Sequence, residues 1–209
     1  MTDVKICGLK DPHAVTAAIE GGADFVGFVF YPHSPRYVEI ETAAYLCSYL
    51  PDHIKPVGLF VDPTDALLEE VLSAVPLQMI QLHGDETPER VIKIKEHFSL
   101  PVMKAIPVAS SDDLMTAAIY EDVADWMLFD TKSAALHGGT GQTFDWALLK
   151  DYPHQKPWML AGGLNIDNIS QALSALSPDA VDVSSGVESS RGIKDPEMIT
   201  AFLKKIKNQ

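Results

Sequence analysis

The stretch "KPVGLFVDPTDALLEEVLSAVPLQMIQLHG", residues 55–84, changes its periodicity twice. Residues 55–62 and 77–84 are short and almost continuously apolar, the pattern of strands covered on both faces. Between them "PTDALLEEVLSAV" keeps its apolar residues to a helical spacing and opens on Pro, Thr and Asp, the residue types that start helices. Strand, helix and strand in direct succession predict a parallel pair, because parallel strands need a crossover between them.

The same unit recurs on both sides of this stretch. Apolar runs lie at 4–9, 24–31, 101–108, 125–131, 157–164 and 180–187, which with the two above makes eight. Amphipathic segments follow them, among them "DPHAVTAAIEGG", "TPERVIKIKEHF", "SSDDLMTAAIYEDV", "NIDNISQALSAL" and "DPEMITAFLKKIKN". Shorter helices are expected at 41–50 and 145–152. Eight such units in 209 residues favour an α/β fold of one domain, residues 1–209, closed as a (β/α)8 TIM barrel rather than opened as a doubly wound sheet. No linker or composition break divides the chain.

Composition narrows the function. Hydrophobic residues are 46% and charged residues 22%, ordinary values for a soluble globular protein. No secretory signal is read at the start, and no run approaches the ~18 apolar residues of a spanning helix, so no membrane role is expected. Cys7 and Cys47 are too few for a disulfide framework and lack zinc-ligand spacing, which points to a reducing cytoplasm. A net charge of −13 argues against a nucleic-acid partner. An anion site in such a chain has to be built locally, from backbone amides and helix ends.

In a closed barrel of this kind the active site lies at the C-terminal ends of the strands. Those ends carry Cys7-Gly8, Tyr31 through Arg36, Asp62, His83-Gly84, Pro107, Asp130, Gly162-Gly163 and Ser184-Ser185-Gly186. The glycine–serine pairs after strands seven and eight stand where such barrels bind phosphate, and the absence of GxxxxGK[ST] and GxGxxG leaves nucleotides unsupported. The long segment 132–144, with Gly138, Gly139 and Gly141 in "GGTG", suits a lid over that phosphate. Cys7 reads either as a small buried hydrophobe or as a thiol shown at the mouth. Asp130, expected across the mouth from it, makes the second half of a proton donor and acceptor pair. Arg36 suits a carboxylate clamp, His83 lines the site or serves its loop, and Cys47 belongs to the core. The other histidines have no metal-site spacing.

Seven segments, "KICG", "FVFYPHSPRYV", "VGLFVD", "IQLHGDE", "LFDTKSAALHGGTGQTFDW", "LAGGLNIDNI" and "DVSSGVESSRGIKD", together resemble the phosphoribosylanthranilate isomerase family of tryptophan biosynthesis, in order and over essentially the whole chain. The resemblance implies an Amadori rearrangement of N-(5-phosphoribosyl)anthranilate to 1-(2-carboxyphenylamino)-1-deoxyribulose 5-phosphate, with no cofactor or metal. By matching motif it implies Cys7 as general base and Asp130 as general acid. Arg36 would hold the anthranilate carboxylate, with His83 and Asp182 on the substrate. Gly138, Gly139, Gly141, Gly162, Gly163, Ser184, Ser185 and Gly186 would cradle the phosphate. A histidine-pathway isomerase of the same chemistry would carry a carboxylate where Cys7 stands. Lys5 shares the parity of Cys7 and is expected below it inside the barrel, where its charge favours thiolate. Arg191 and Lys194 are expected at a distance from the phosphate loops. The absence of a long exposed apolar stripe leans towards a monomer, with a homodimer left open.

Overall fold

The computed structural model describes residues 2–131 and 145–208. Strands β1 (Asp3–Cys7), β2 (Phe25–Val29), β3 (Lys55–Phe60), β4 (Met79–Leu82), β5 (Val102–Val108), β6 (Trp126–Thr131), β7 (Trp158–Leu160) and β8 (Ala180–Val183) pair in sequence order, and β8 closes onto β1. Every pairing around the ring is parallel. Around it run α1 (Pro12–Glu20), α2 (Ile40–Cys47), α3 (Asp65–Ala74), α4 (Pro88–Phe98), α5 (Ser111–Glu121), α6 (Ala147–Lys150), α7 (Ile169–Ala175) and α8 (Pro196–Lys207). The chain is therefore the closed barrel that its repeated unit predicts.

Helix starts follow the punctuation. Asp11 accepts the Ala14 amide with Pro12 in the first turn, Asp195 accepts the Glu197 and Met198 amides, and Thr64 and Thr87 cap α3 and α4. The helix expected at 145–152 shrinks to the one turn of α6. It has no side-chain cap, Pro153 bars its extension, and Tyr152 turns inward to meet Phe129 edge-on. A short antiparallel hairpin, β9 (Glu188–Ser190) with β10 (Ile193–Lys194), interrupts the chain between β8 and α8.

Alternation along each strand sorts the core into two layers. Val4, Ile6, Val26, Phe28, Ile80 and Val181 face outward into the apolar layer beneath the helices, with Phe202 and Leu203 of α8. Phe25, Val57, Met79, Met103, Leu128 and Met159 fill the barrel interior. Lys5, Gln81 and Asp182 are also buried, and they carry polar chemistry among the strands below the mouth.

Candidate active site

Cys7 ends β1 and is 4% exposed. Its strand partner on β2 is Gly27. A Cβ at Gly27 would lie 3.0 Å from the Cys7 Sγ and 3.2 Å from the Lys5 Cε, so the missing side chain is what makes room for both. Lys5 is fully buried, and its Nζ donates to Gln81 Oε1 at 2.7 Å and to Asp182 Oδ1 at 3.0 Å. Burial works against its charge, but Asp182 and the neighbouring Cys7 outweigh that, and its pKa stands above the ordinary lysine value. Burial pushes the Cys7 thiol up, Lys5 and Lys194 pull it back, Asp182 pushes it up again, and the balance remains above the ordinary value. Cys47 on α2 shows the same thiol with no cation to oppose burial, which drives it to about 12. It is an inert core residue, as its helical position predicts.

Asp130 stands near the end of β6 and is 7% exposed. Its Oδ1 accepts the Thr131 amide at 2.7 Å, and its Oδ2 lies 3.3 Å from His83 Nε2. The other nitrogen of that ring, Nδ1, is 3.0 Å from Gln81 Nε2. Gly162 has φ +86°, and a Cβ there would come within 3.0 Å of Asp130 Oδ1 and 2.5 Å of the Thr131 amide nitrogen. Only glycine lets the seventh loop lie this close to the carboxylate.

Arg36 reaches the cleft from the loop after β2 and crosses the end of β1, where a Cβ on Gly8 would sit 2.8 Å from its Cδ. One edge of its fork is already occupied: Nε and Nη2 donate to Glu188 Oε1 and Oε2 at 2.7 and 2.9 Å. Glu188 belongs to the hairpin, which also carries Lys194. The Lys194 Nζ donates to Glu188 Oε1 at 2.7 Å and to Ser184 O and Oγ at 2.8 and 3.1 Å. Burial would raise the Glu188 carboxyl, but Arg36 and Lys194 overcome it and hold the group at about 2. The expected distance of Lys194 from the loops is thus corrected. The chain reverses at Gly192, whose φ is +81°, and returns the lysine beneath the eighth loop. Arg191, at the turn, remains exposed.

Cys7, Arg36, His83, Asp130, Asp182 and Ser184 line one cleft, whose apolar side is Val29, Leu59 and Val61. Gly162, Gly163, Ser185 and Gly186 belong to the two loops that end β7 and β8, which a bridge between Asn165 and Gly186 ties together. The amides of Gly163, Ser184 and Ser185 donate to no other described residue. Asp62 does not line the cleft; its Oδ1 accepts the Asp85 amide at 2.8 Å and joins the ends of β3 and β4. Gly138, Gly139 and Gly141, with the expected lid, fall outside the described residues. No metal-binding group of three His, Cys, Asp or Glu occurs among the described residues.

Four contributors were not foreseen: Gln81, Gly27, Glu188 and Lys194. Parity would have found the first. Gln81 precedes His83 by two, as Lys5 precedes Cys7 and Asp182 precedes Ser184, so each stacks one layer below a residue of the mouth. Gly27 and the hairpin pair had no such signal, since their roles come from contacts across strands.

The family model for N-(5'-phosphoribosyl)anthranilate isomerase matches residues 4–205. The Rhodospirillum centenum protein of that name is 52% identical over 204 residues, covering 96% of this chain and 95% of its own. A crystal structure of the Thermotoga maritima phosphoribosyl anthranilate isomerase superposes with a TM-score of 0.92 at 40% identity over all of both chains. Another, of such an isomerase in complex with reduced 1-(o-carboxyphenylamino)-1-deoxyribulose 5-phosphate, gives 0.88 at 38% identity, again over both whole chains. This chain belongs to the N-(5'-phosphoribosyl)anthranilate isomerase family.

Proposed function

We propose that this isomerase of tryptophan biosynthesis converts N-(5-phosphoribosyl)anthranilate to 1-(2-carboxyphenylamino)-1-deoxyribulose 5-phosphate, with Cys7 as base and Asp130 as acid. The observation that carries the assignment is that Cys7 and Asp130 enter one cleft from β1 and β6, each nearly buried. Asp130 gives a proton to the furanose ring oxygen. The C1′–O bond breaks with its electrons on that oxygen, and the anthranilate nitrogen lone pair forms the C1′ iminium. The Cys7 thiolate removes the now acidic C2′ proton, and the C–H electrons make the enolamine, which tautomerises to the ketone. Hydrogen only changes place, so no oxidant or reductant enters.

The remaining groups position the substrate. The apolar side of Val29, Leu59 and Val61 suits the anthranilate ring, with the Arg36 guanidinium next to it for the carboxylate. Asp182 is assigned to a ribose hydroxyl, and His83, whose two ring nitrogens face Gln81 and Asp130, lines the cleft beside it. The amides of Gly163, Ser184 and Ser185 are assigned to the phosphate, with Lys194, which also pairs with Glu188, behind Ser184. Both cysteines are free, which fits a cytoplasmic enzyme.

The direct test is the decay of substrate fluorescence on adding the purified protein, with the product identified as the aminoketose. Steady turnover is expected. No decay with an authentic, fully folded sample would reject the activity.

A further inference from the structure

We propose that Gln81 is a positioning residue that decides which nitrogen of His83 carries the proton, and through it what Asp130 faces. The proposal rests on the reading of Asp130 as the acid.

A polar chain crosses the barrel interior beneath the cleft. It runs from Asp182 to Lys5 at 3.0 Å, from Lys5 to Gln81 at 2.7 Å, from Gln81 to His83 at 3.0 Å and from His83 to Asp130 at 3.3 Å. Its direction is fixed at one end. An ammonium has three donors and no acceptor, so Lys5 takes the Gln81 oxygen and leaves the amide NH₂ towards His83. Against that NH₂, Nδ1 has to accept. The ring is therefore neutral, its proton sits on Nε2, and Nε2–H donates to Asp130 Oδ2.

This arrangement opposes its surroundings. Asp130 on β6 and Asp182 on β8 favour an imidazolium by charge, while Lys5 and Cys7 on β1, and Tyr31 and Arg36 on the loop after β2, are the other titratable groups of the cleft and its floor among the described residues. Among the described residues Gln81 is the group in contact with Nδ1. A proton added there would meet the N–H of the amide. The consequence falls on Asp130: an imidazolium would hold it as carboxylate through a charge-assisted bond, the wrong form for giving a proton. A neutral N–H orients the carboxyl group and favours the carboxylate far less than a full positive charge does. Were Gln81 only filling the barrel, the isosteric Gln81→Glu would leave the ring as it was.

The test reads the ring directly. In the ligand-free protein with ¹⁵N-labelled histidine, His83 (assigned by its loss in His83→Asn) is expected to show a protonated Nε2 and an unprotonated Nδ1 at neutral pH. In Gln81→Glu the carboxylate still accepts from Lys5 and now accepts at Nδ1 as well, so the ring should become doubly protonated. The kcat should fall about tenfold or more with KM within about twofold, a part of the ~10²–10⁴ that proton transfer contributes. In the His83→Asn background the same substitution should change kcat by less than about twofold, because Gln81 then has nothing to position. A wild-type ring protonated on Nδ1, an unchanged ring in Gln81→Glu, or an equal penalty in both backgrounds each overturns the proposal. The wild-type spectrum decides the first point even if the variant does not fold. An Asp130→Asn enzyme within tenfold of the parent would instead remove the acid assignment and leave the ring result standing.

Discussion

The two walls of the cleft are built to opposite electrostatic rules. On the Cys7 side three cations converge, each already facing a carboxylate: Lys5 from within the barrel against Asp182, and Lys194 from the hairpin and Arg36 from the loop after β2 against Glu188. On the Asp130 side the hydrogen bonds from described residues come from the Thr131 amide and from the His83 ring, which the proposed tautomer keeps neutral. A base has to lose its proton and an acid has to keep one, and a single field cannot favour both. Two unit charges 4 Å apart interact by ~1 kcal/mol in water but ~4 kcal/mol at an effective dielectric of 20, so placement within a buried cleft separates the two requirements. The same contrast separates the two cysteines. Cys47 has burial alone, whereas Cys7 has burial opposed by two lysines.

The strongest way to break the comparison is to remove the two groups to which the proton transfers are assigned. Cys7→Ser and Asp130→Asn should each lower kcat by at least ~10³ with KM changed only a few-fold, since each group is assigned a proton transfer and not binding. Steady-state fluorescence kinetics measures both. A Cys7→Ser enzyme within tenfold of the parent would sink the base assignment.

Arg36 tests whether the positive wall also reads the substrate. Arg36→Met should raise KM by about 10–10², the scale of a lost charge-assisted pair, and Arg36→Lys by clearly less. Because Glu188 already holds Nε and Nη2, the substrate carboxylate is left the Nη1 side or must displace Glu188. A Glu188→Gln variant that binds substrate more tightly would favour displacement. If both arginine variants bind like the parent, Arg36 serves the hairpin alone.

Lys194 sharpens the comparison through pH. Its charge lowers the Cys7 pKa, so Lys194→Met should raise it. The active form of a base is the deprotonated one, present above its pKa, so kcat/KM climbs as pH rises through the Cys7 value. In the variant that ascending limb should move to higher pH, by about one unit if the lost interaction is ~1.4 kcal/mol. Thiolate ultraviolet absorbance followed against pH gives the same number without substrate. A limb that moves to lower pH, or not at all, would show that Lys194 serves Ser184 and Glu188 and not the thiol.

The barrel was legible because each unit states its own pattern: "KPVGLFVD", a capped amphipathic helix and "LQMIQLHG" need no knowledge of the rest. Cys7, His83, Asp130 and Ser184 were legible because strand ends can be counted. The hairpin was not. "VESSRGIK" is short, polar and without alternation, and its pairing depends on Gly192 reversing at φ +81° against the carbonyl of Pro35, a residue from the far end of the chain. Nor could Gly27 be read, since its meaning is the space it leaves for a sulfur on the neighbouring strand.

The smallest effect is expected at the hairpin's tip, and it separates a buried cation from an exposed one. Arg191 and Lys194 are three positions apart, but Arg191 is exposed while Lys194 is 5% exposed and bonded to Ser184. An exposed charge contributes ~1 kcal/mol or less, and at physiological salt its field is screened within about 8 Å. Arg191→Ala should therefore leave KM and competitive inhibition by inorganic phosphate within about twofold of the parent at that salt. Gly163→Val should weaken both far more, because Gly163 has φ +67° and a branched side chain resists that conformation. Measured as phosphate inhibition constants at two salt concentrations, the contrast is direct. A tenfold loss in Arg191→Ala, with Gly163→Val near the parent, would move the phosphate from the loop amides to a side chain on the hairpin, and the positive wall would then have to be redrawn around Arg191.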